Sequence, residues 1–552
     1  MGAILTAEDF GLTKNFLFYN LMEKLMSLSN LLDLSIQKDS ALNKPTAVEI
    51  TESLKLFVYP LSVNTTDGGV IFLATVDTEK FLFILLNLNS NNPLWSKFLG
   101  EEVSLGKQNG SIRLKKCKLN FANAEVIKKT FSFARPQLIG LANSIGMGDR
   151  LGLANAGHLR SLTGFHFKPI LAQQSIRELT RTQRTPDEVM NAAVWSVLQE
   201  GYKDGFGSDA DHLKTTDDID LLAKAGFTMF TFDPSEFVNN NADSAKENDL
   251  DKIIQTLNWN GLKTNFENLL SDYKGKQFNI SEKFSIQPTE MEVKRAVVKY
   301  GNAIAHIKNL YEHIKNNYSG YQFEVEVSVD ETESVTTPFE HFFIANELKK
   351  LKVEFISLAP RFVGDFEKGI DYKGDVNLFR QEYLKHLAIV KHFGTYKISL
   401  HSGSDKFTVY KIIGSFNEAF THVKTAGTSY LEALKVVASC EPGLFREILD
   451  FSRGLYETEK KSYHVSADLA KVKNGNEYAD NELVALFDSN DVRQVLHVTF
   501  GKVLSDKNAD GSFLFKNKIL DCLKRNEELH YEYLKIHFRK HIEPFNKNNL
   551  GE

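Results

Sequence analysis

The stretch FGSDADHLKTTDDIDLLAKAGFTMFTFD, residues 206–233, contains the pattern that decides the fold. Two apolar, strand-like runs, Phe206–His212 and Phe227–Phe232, lie on either side of a segment with helical periodicity. Thr215, followed three residues later by Asp218, is typical of a helix N-terminus, and the glycine before the second run is typical of a helix end. A strand, a helix and a strand in this order predict two parallel strands.

The same alternation continues on both sides of this stretch. We count eight candidate strands, near Ser144–Leu151, Lys168–Gln173, Phe206–His212, Phe227–Phe232, Phe323–Val329, Glu354–Leu358, Lys397–His401 and Thr421–Lys424. Eight strands that alternate with helices predict an α/β fold, a (β/α)8 TIM-type barrel. A doubly wound sheet is the alternative that the pattern leaves open.

The chain has 552 residues, more than the about 250–300 that one core usually serves. We predict an N-terminal α+β section at 1–138, a catalytic barrel at 139–450 with a helical insertion at about 235–320, and a mostly helical C-terminal extension at 451–552. The first section contains a helical pattern and three strand-like runs, which are Phe16–Leu34, Leu54–Leu61, Val70–Ala74 and Phe81–Leu88.

Composition excludes several classes of protein. Hydrophobic residues make up 42% and charged residues 25%, as in ordinary globular proteins, and the net charge is −5. Without a basic excess, we expect no nucleic-acid partner. The most apolar run, Phe81–Leu88, is too short to cross a membrane. Three widely spaced cysteines, Cys117, Cys440 and Cys522, favour a reducing cytoplasm.

Polar side chains follow the predicted strands, where barrel enzymes carry their active sites. Asp211 and His212 end an apolar strand and would need partners if buried. Asp330, Glu331 and His401 end two other strands. A single strand-end Asp is often only a helix cap, and a lone His is more often structural. Together, imidazoles and carboxylates from separate strands predict a catalytic divalent metal ion, such as zinc, manganese, nickel or cobalt.

Several longer motifs resemble the tagaturonate epimerase family. They are Asp149-Arg-Leu-Gly-Leu-Ala154, Gly157-His-Leu-Arg160, Ala172-Gln-Gln-Ser-Ile-Arg-Glu178, Asp209-Ala-Asp-His-Leu-Lys-Thr215, Gly226-Phe-Thr-Met-Phe-Thr-Phe-Asp-Pro234, Ser402-Gly-Ser-Asp-Lys406, His422-Val-Lys-Thr-Ala-Gly-Thr-Ser-Tyr430, Arg493-Gln-Val-Leu-His-Val-Thr-Phe500 and His537-Phe-Arg-Lys-His-Ile-Glu-Pro-Phe545. One departure is Ala154-Asn-Ala156, where the family pattern has Thr-Pro after the alanine. The resemblance implies a metal-dependent epimerase that interconverts D-tagaturonate and D-fructuronate at C4, in hexuronate catabolism.

The chemistry of that reaction restricts its mechanism. The C4 hydrogen is not alpha to the C2 ketone, so simple enolisation does not invert C4. Transient oxidation would need a hydride acceptor, for which the sequence shows no convincing motif. Retro-aldol cleavage of the C3–C4 bond, rotation of the aldehyde and re-addition to its other face would invert C4.

Class II aldolases cleave such bonds with a metal ion, and two local motifs are similar to theirs. These are Asp211-His212 and the turn His401-Ser-Gly-Ser404. On this likeness we predict His212 and His401 as metal ligands, with Glu331 as third ligand and with Asp330 or another histidine as the alternatives. We predict Asp211 as general base and Lys214 as oxyanion stabiliser. The predicted substrate-binding residues are Gln174, Arg177, Arg361, Ser404, Lys406 and Lys424.

The same sequence features are compatible with two other functions. A metal-dependent aldolase or ketose isomerase would use the same strand ends, and would release three-carbon products if it were an aldolase. A non-catalytic carbohydrate-binding protein would bind sugar without metal. The lack of repeats and the convergent polar residues disfavour a scaffold. We expect a small sugar acid as substrate, and a homo-oligomer is left open.

Overall fold

The computed structural model describes residues 45–51, 54–66, 69–87, 92–105, 112–402, 404–416, 421–425 and 427–546. The helical pattern predicted at Phe16–Leu34 lies outside these residues. The described part of the chain contains an N-terminal sheet, a closed barrel and a helical C-terminal region.

The N-terminal sheet has seven antiparallel strands in the order β1-β2-β4-β5-β7-β6, with β3 beside β4. Its strands are β1 Thr46–Thr51, β2 Leu54–Val58, β3 Asn64–Thr66, β4 Gly69–Val76, β5 Glu79–Asn87, β6 Glu101–Val103 and β7 Ile112–Lys118. The three strand-like runs of the sequence correspond to β2, β4 and β5.

Ten further strands follow. They are β8 Ser144–Gly146, β9 Lys168–Ser175, β10 Gly207–Leu213, β11 Met229–Phe232, β12 Phe278–Ser281, β13 Phe284–Ile286, β14 Glu324–Val329, β15 Ser357–Pro360, β16 Lys397–Leu400 and β17 Thr421–Lys424. All but β12 and β13 form one closed barrel of eight parallel strands, in which β17 pairs with β8. The TIM-type barrel is thereby confirmed, and the doubly wound alternative is wrong.

The first barrel strand is shorter than predicted because Asp149 forms a turn. Its carboxylate accepts backbone N–H groups from Gly152 at 2.7 Å and Ala154 at 2.9 Å. These bonds direct the chain away from the sheet after Gly146. The other barrel strands lie within a few residues of their predicted positions.

Helices surround the barrel and form the C-terminal region. They are α1 Leu94–Lys97, α2 Phe121–Thr130, α3 Asn155–Ser161, α4 Ile176–Thr182, α5 Pro186–Gln199, α6 Thr216–Lys224, α7 Glu247–Ile254, α8 Trp259–Leu262, α9 Phe266–Tyr273, α10 Glu290–Asn317, α11 Pro338–Lys350, α12 Val376–Phe393, α13 Phe407–Ser415, α14 Thr428–Cys440, α15 Pro442–Glu459, α16 Asn490–Val498, α17 Phe500–Ser505, α18 Lys516–Arg525 and α19 Glu527–Ile542. As the sequence predicts, Thr215 caps α6 in a capping box with Asp218.

The insertion between the fourth and fifth barrel strands differs from the helical insertion of the prediction. It contains α7 to α10, but also the antiparallel hairpin of β12 and β13. These strands have only four and three residues, too few for a clear period of two in the sequence. The three-section division of the chain stays a proposal.

Packing attaches the outer sections to the barrel. Ile71, Leu82 and Ile84 of the N-terminal sheet share a buried cluster with Trp195 and Leu198 of α5. The last helix, α19, packs against α3. In the described ranges, we find no helix with the length and apolar character that a bilayer crossing requires.

Candidate active site

The barrel brings the predicted strand ends together at one mouth, as parallel closure requires. Asp211 and His212 lie at the end of β10, and Asp330 follows β14. His401 follows β16, and its ring centroid is 5.0 Å from that of His212. His212 has a left-handed backbone with φ of 52°, uncommon for a residue other than glycine. This conformation allows the chain to turn at the strand end.

Three side chains at this mouth are placed to hold a cation, and we call them the mouth group. They are His212, His401 and Asp330, each with a ligand atom within 4.8 Å of the others. The His401 Nδ1 atom lies 3.0 Å from Asp330 Oδ1. Glu331, the predicted third ligand, instead belongs to a different group of possible metal ligands, which it forms with His212 and Asp233. The structure therefore favours Asp330, one of the alternatives, as partner of both histidines.

Carboxylates fix the orientation of the two imidazoles. Glu326 lies below His401, where its Oε1 atom is 2.5 Å from Nε2. Asp233 Oδ2 lies 3.3 Å from His212 Nδ1. A carboxylate that accepts from one ring nitrogen leaves the other nitrogen available to a metal ion. In His401 the available atom is Nδ1, which faces Asp330.

A buried ammonium group lies beneath the mouth, and its contacts form what we call the Lys424 cluster. Lys424 Nζ is 2.7 Å from Asp211, 2.8 Å from Asp209 and 2.8 Å from Glu326. It also donates to Thr231 Oγ1 at 2.6 Å. One cation thus connects three carboxylates from two strands in the barrel interior, and one of these is the predicted base.

These charges set the ionisation of the site. Burial opposes ionisation of Asp211, but Lys424, His212 and His401 together outweigh it and hold the pKa of that carboxyl well below its usual value. Burial raises the pKa of Asp209 to about 6. Burial also opposes protonation of His212 and His401, yet neighbouring carboxylates raise the pKa of His212 to about 10 and that of His401 to about 9. A cation that binds the two imidazoles would therefore displace protons.

Two predicted substrate-binding residues, Gln174 and Arg177, belong to the second strand region. Gln173, not Gln174, contacts Asp211, since its Nε2 atom donates to Asp211 Oδ2 at 3.2 Å. Neighbouring residues of a strand point to opposite faces, so Gln174 faces away from Asp211. Arg177 is half exposed and lies 3.9 Å from Glu331.

Most of the remaining side chains that we predict to bind substrate contact other groups of the protein in this structure. Lys406 is fully buried and donates to three backbone carbonyls, including that of buried Ser404 at 2.9 Å. Arg361 donates to the carbonyl of Thr332 at 2.6 Å. Lys214 lies at the rim, 3.9 Å from Asp233 Oδ2. Lys424 and Lys406 thus contact the protein's own groups in this structure. The substrate contacts predicted for them stay predictions. Gly403, in the turn likened to aldolases, lies outside the described residues.

The donor set fits a divalent metal ion. Two imidazoles and a carboxylate from three strands are ligands that zinc, manganese, nickel and cobalt accept. Their outer carboxylates, Glu326 and Asp233, are the usual partners of metal-bound histidines. An eight-stranded parallel barrel with imidazoles and carboxylates at the carboxyl ends of its strands has the architecture of the TIM-barrel enzymes, whose active sites lie at that end.

Comparison with known proteins gives the family. The sequence model of the tagaturonate epimerase family matches residues 59–545, so the chain belongs to that family. It is therefore a carbohydrate epimerase, which is a kind of isomerase. A tagaturonate/fructuronate epimerase from Thermotoga maritima is 44% identical over 428 residues, which cover 77% of this chain and 85% of the relative. Native and glycerol-complexed crystal structures of fructuronate-tagaturonate epimerase from Cohnella laeviribosi match with a TM-score of 0.82 at 36% identity, over 89% of this chain and 96% of theirs. The family resemblance of the sequence motifs is confirmed.

Proposed function

We propose that this chain interconverts D-tagaturonate and D-fructuronate at C4 by metal-dependent retro-aldol and aldol chemistry, in hexuronate catabolism. The observation that carries the proposal is the juxtaposition of Asp211 with the mouth group. Its carboxylate is held ionised by Lys424 and lies 3.8 Å from His212 Nε2. Family membership and the relatives' names support the substrate.

In this mechanism Asp211 accepts the proton of the 4-hydroxyl group. The C3–C4 bond then breaks, and its electron pair moves into the C2 ketone to give an enediolate and an aldehyde. The aldehyde rotates, the C3–C4 bond reforms on its opposite face, and Asp211 returns the proton to the new 4-hydroxyl. No oxidant or reductant is needed, so the reaction balances by itself.

His212, His401 and Asp330 would hold the metal ion, which when bound supplies positive charge to stabilise developing oxyanions. Glu326 keeps the His401 ring in place by accepting from Nε2. Gln173 and Lys424 hold the Asp211 carboxylate at its two oxygens, at 3.2 Å and 2.7 Å. A base fixed in this way loses no orientation between cleavage and re-addition.

An NMR time course tests the proposal. Chelator-stripped protein would receive D-fructuronate in deuterated water, with and without added divalent metal. We expect D-tagaturonate only with metal and no deuterium at C4. Deuterium at C4 would indicate that the enzyme inverts C4 by proton transfer at that carbon and not by retro-aldol cleavage. No conversion with any metal would refute the substrate assignment.

The aldolase alternative predicts a different product of the same experiment. Free three-carbon fragments without the epimer would make the chain an aldolase rather than an epimerase. The cytoplasmic location stays a prediction, which cell fractionation would test. The oligomeric state stays open between a monomer and a homo-oligomer, and light scattering would measure it.

A further inference from the structure

A second group of metal-ligating side chains joins the last helix to the turn after the seventh barrel strand. His537 and His541 are four residues apart on α19, so they lie on one face of the helix. They face Asp405, which follows β16 by five residues and has a left-handed φ of 66°. We call these three residues the C-terminal cluster. All three are buried, with at most 7% of their surface exposed.

The separations within this cluster suit a bound cation. Asp405 Oδ1 lies 2.8 Å from His537 Nε2 and 3.9 Å from His541 Nε2. Around a tetrahedral ion with bonds of about 2.0–2.2 Å, ligand atoms lie about 3.3–3.6 Å apart, between these two values. Asp405 Oδ1 and His537 Nε2 are also buried without a well-directed hydrogen bond to any described group. These two atoms form a close ion pair that is poorly directed for a hydrogen bond, and a cation between them would bind both.

The outer contacts of the cluster direct the same atoms inward. His537 Nδ1 lies 3.2 Å from Glu432 Oε1, and His541 Nδ1 donates to the carbonyl of His537 at 3.2 Å. Arg493 pairs with Asp405 Oδ2 at 2.6 Å, which leaves Oδ1 for the histidines. Such carboxylate and carbonyl partners orient metal-bound histidines. The Asp405 amide donates to His541 Nε2 at 3.1 Å, a bond that a cation would replace.

We propose that Asp405, His537 and His541 form a second divalent-cation site, with zinc as the best-fitting ion. Two imidazoles and one carboxylate leave one position for water. The site shares no residue with the mouth group and is independent of the proposed reaction. It attaches α19 to the turn that follows the strand of His401, so we infer a structural role: to hold that turn in place.

Metal stoichiometry tests the proposal. Full-length protein would be stripped with chelator, reloaded with zinc, freed of excess metal by dialysis and analysed for zinc per chain. We expect two ions in the natural protein, one in His401→Ala and one in His541→Gln. His530→Gln, a buried histidine of the same helix outside the cluster, is the matched control and should keep two.

Thermal melting gives a second measurement on His401→Ala. Zinc should raise the Tm of this variant, and the effect should vanish in His401→Ala/His541→Gln. If His541→Gln does not fold, one ion in His401→Ala supports the second site by itself. One ion in the natural protein and none in His401→Ala would overturn the proposal. If the natural protein and His401→Ala each bind one ion and His541→Gln binds none, the C-terminal cluster is the metal site and the mouth group binds no metal.

Discussion

Replacing Lys424 by methionine removes the one ammonium group that contacts Asp209, Asp211 and Glu326 in the described barrel interior. Methionine fills a similar volume but supplies no charge, so three buried carboxylates lose their shared cation. Because their side chains are at most 6% exposed, water screens them little. Removing one partner of a buried ion pair costs about 3–5 kcal/mol. We expect a loss of at least that size at neutral pH.

The loss should depend on pH in a defined direction. Without Lys424, the folded-state pKa values of these carboxyls rise above the unfolded values of about 4. A group with a raised folded-state pKa is stabilising below the unfolded value, and that stability is lost as the pH rises through the folded value. The difference between the natural protein and the variant should therefore be larger at pH 7.5 than at pH 5.

Urea unfolding at both pH values, followed by tryptophan fluorescence, measures the effect. A second variant, Lys424→Met/Asp209→Asn, removes one uncompensated carboxylate and should recover part of the loss at pH 7.5. A free energy of unfolding for Lys424→Met within about 1 kcal/mol of the natural value would contradict the reasoning, because the buried carboxylates would then lose their cation at little cost. A loss of equal size at both pH values would contradict the electrostatic explanation.

Three further predictions concern the mouth and the buried histidines. Asp211→Asn should retain metal but lower kcat by about 10²–10⁴-fold, because the base is lost; coupled assays and metal analysis would check both, and full activity would remove Asp211 from the mechanism. Asp330→Ala should weaken metal binding more than Glu331→Ala in competition titrations, and the reverse order would restore Glu331 as third ligand. Burial lowers the pKa of His386 and His422 to about 3, so below about pH 6.5 the unfolded chain binds more protons than the folded one, and the Tm should fall from pH 6.5 to pH 4. A Tm that does not change would mean that these rings take up protons equally in the folded and the unfolded state.

The barrel could be predicted because strand and helix periods alternate clearly along the chain. The meeting of the polar strand ends at one mouth could be predicted because barrel topology fixes where they lie. The partner of His401 could also have been found from the sequence. Glu326 and Ser328 lie on one face of β14, and Asp330, two residues further on and just past the end of the strand, continues that spacing, whereas Glu331 does not. That period of two favours Asp330 as the inward residue.

The roles of the lysines could not be predicted from the sequence. Lys406 and Lys424 both follow or end barrel strands, as substrate-binding residues would. Only the three-dimensional arrangement shows that Lys406 donates to three carbonyls and Lys424 to three carboxylates. Apart from Ser404, these partners come from distant parts of the chain, and a lysine's identity carries no information about which distant oxygen it will meet.

The packing of α19 against α3 has a consequence for how the chain is made. Gly157 of α3 leaves space for Leu534, and Arg160 pairs with Glu528 at 2.9 Å. The first barrel helix therefore gains its cover only when α19 has left the ribosome. Until then a growing chain exposes the face of α3 that α19 covers, where a chaperone would bind. Shortening the chain from its C-terminus should therefore harm folding yield in cells before it harms chemistry.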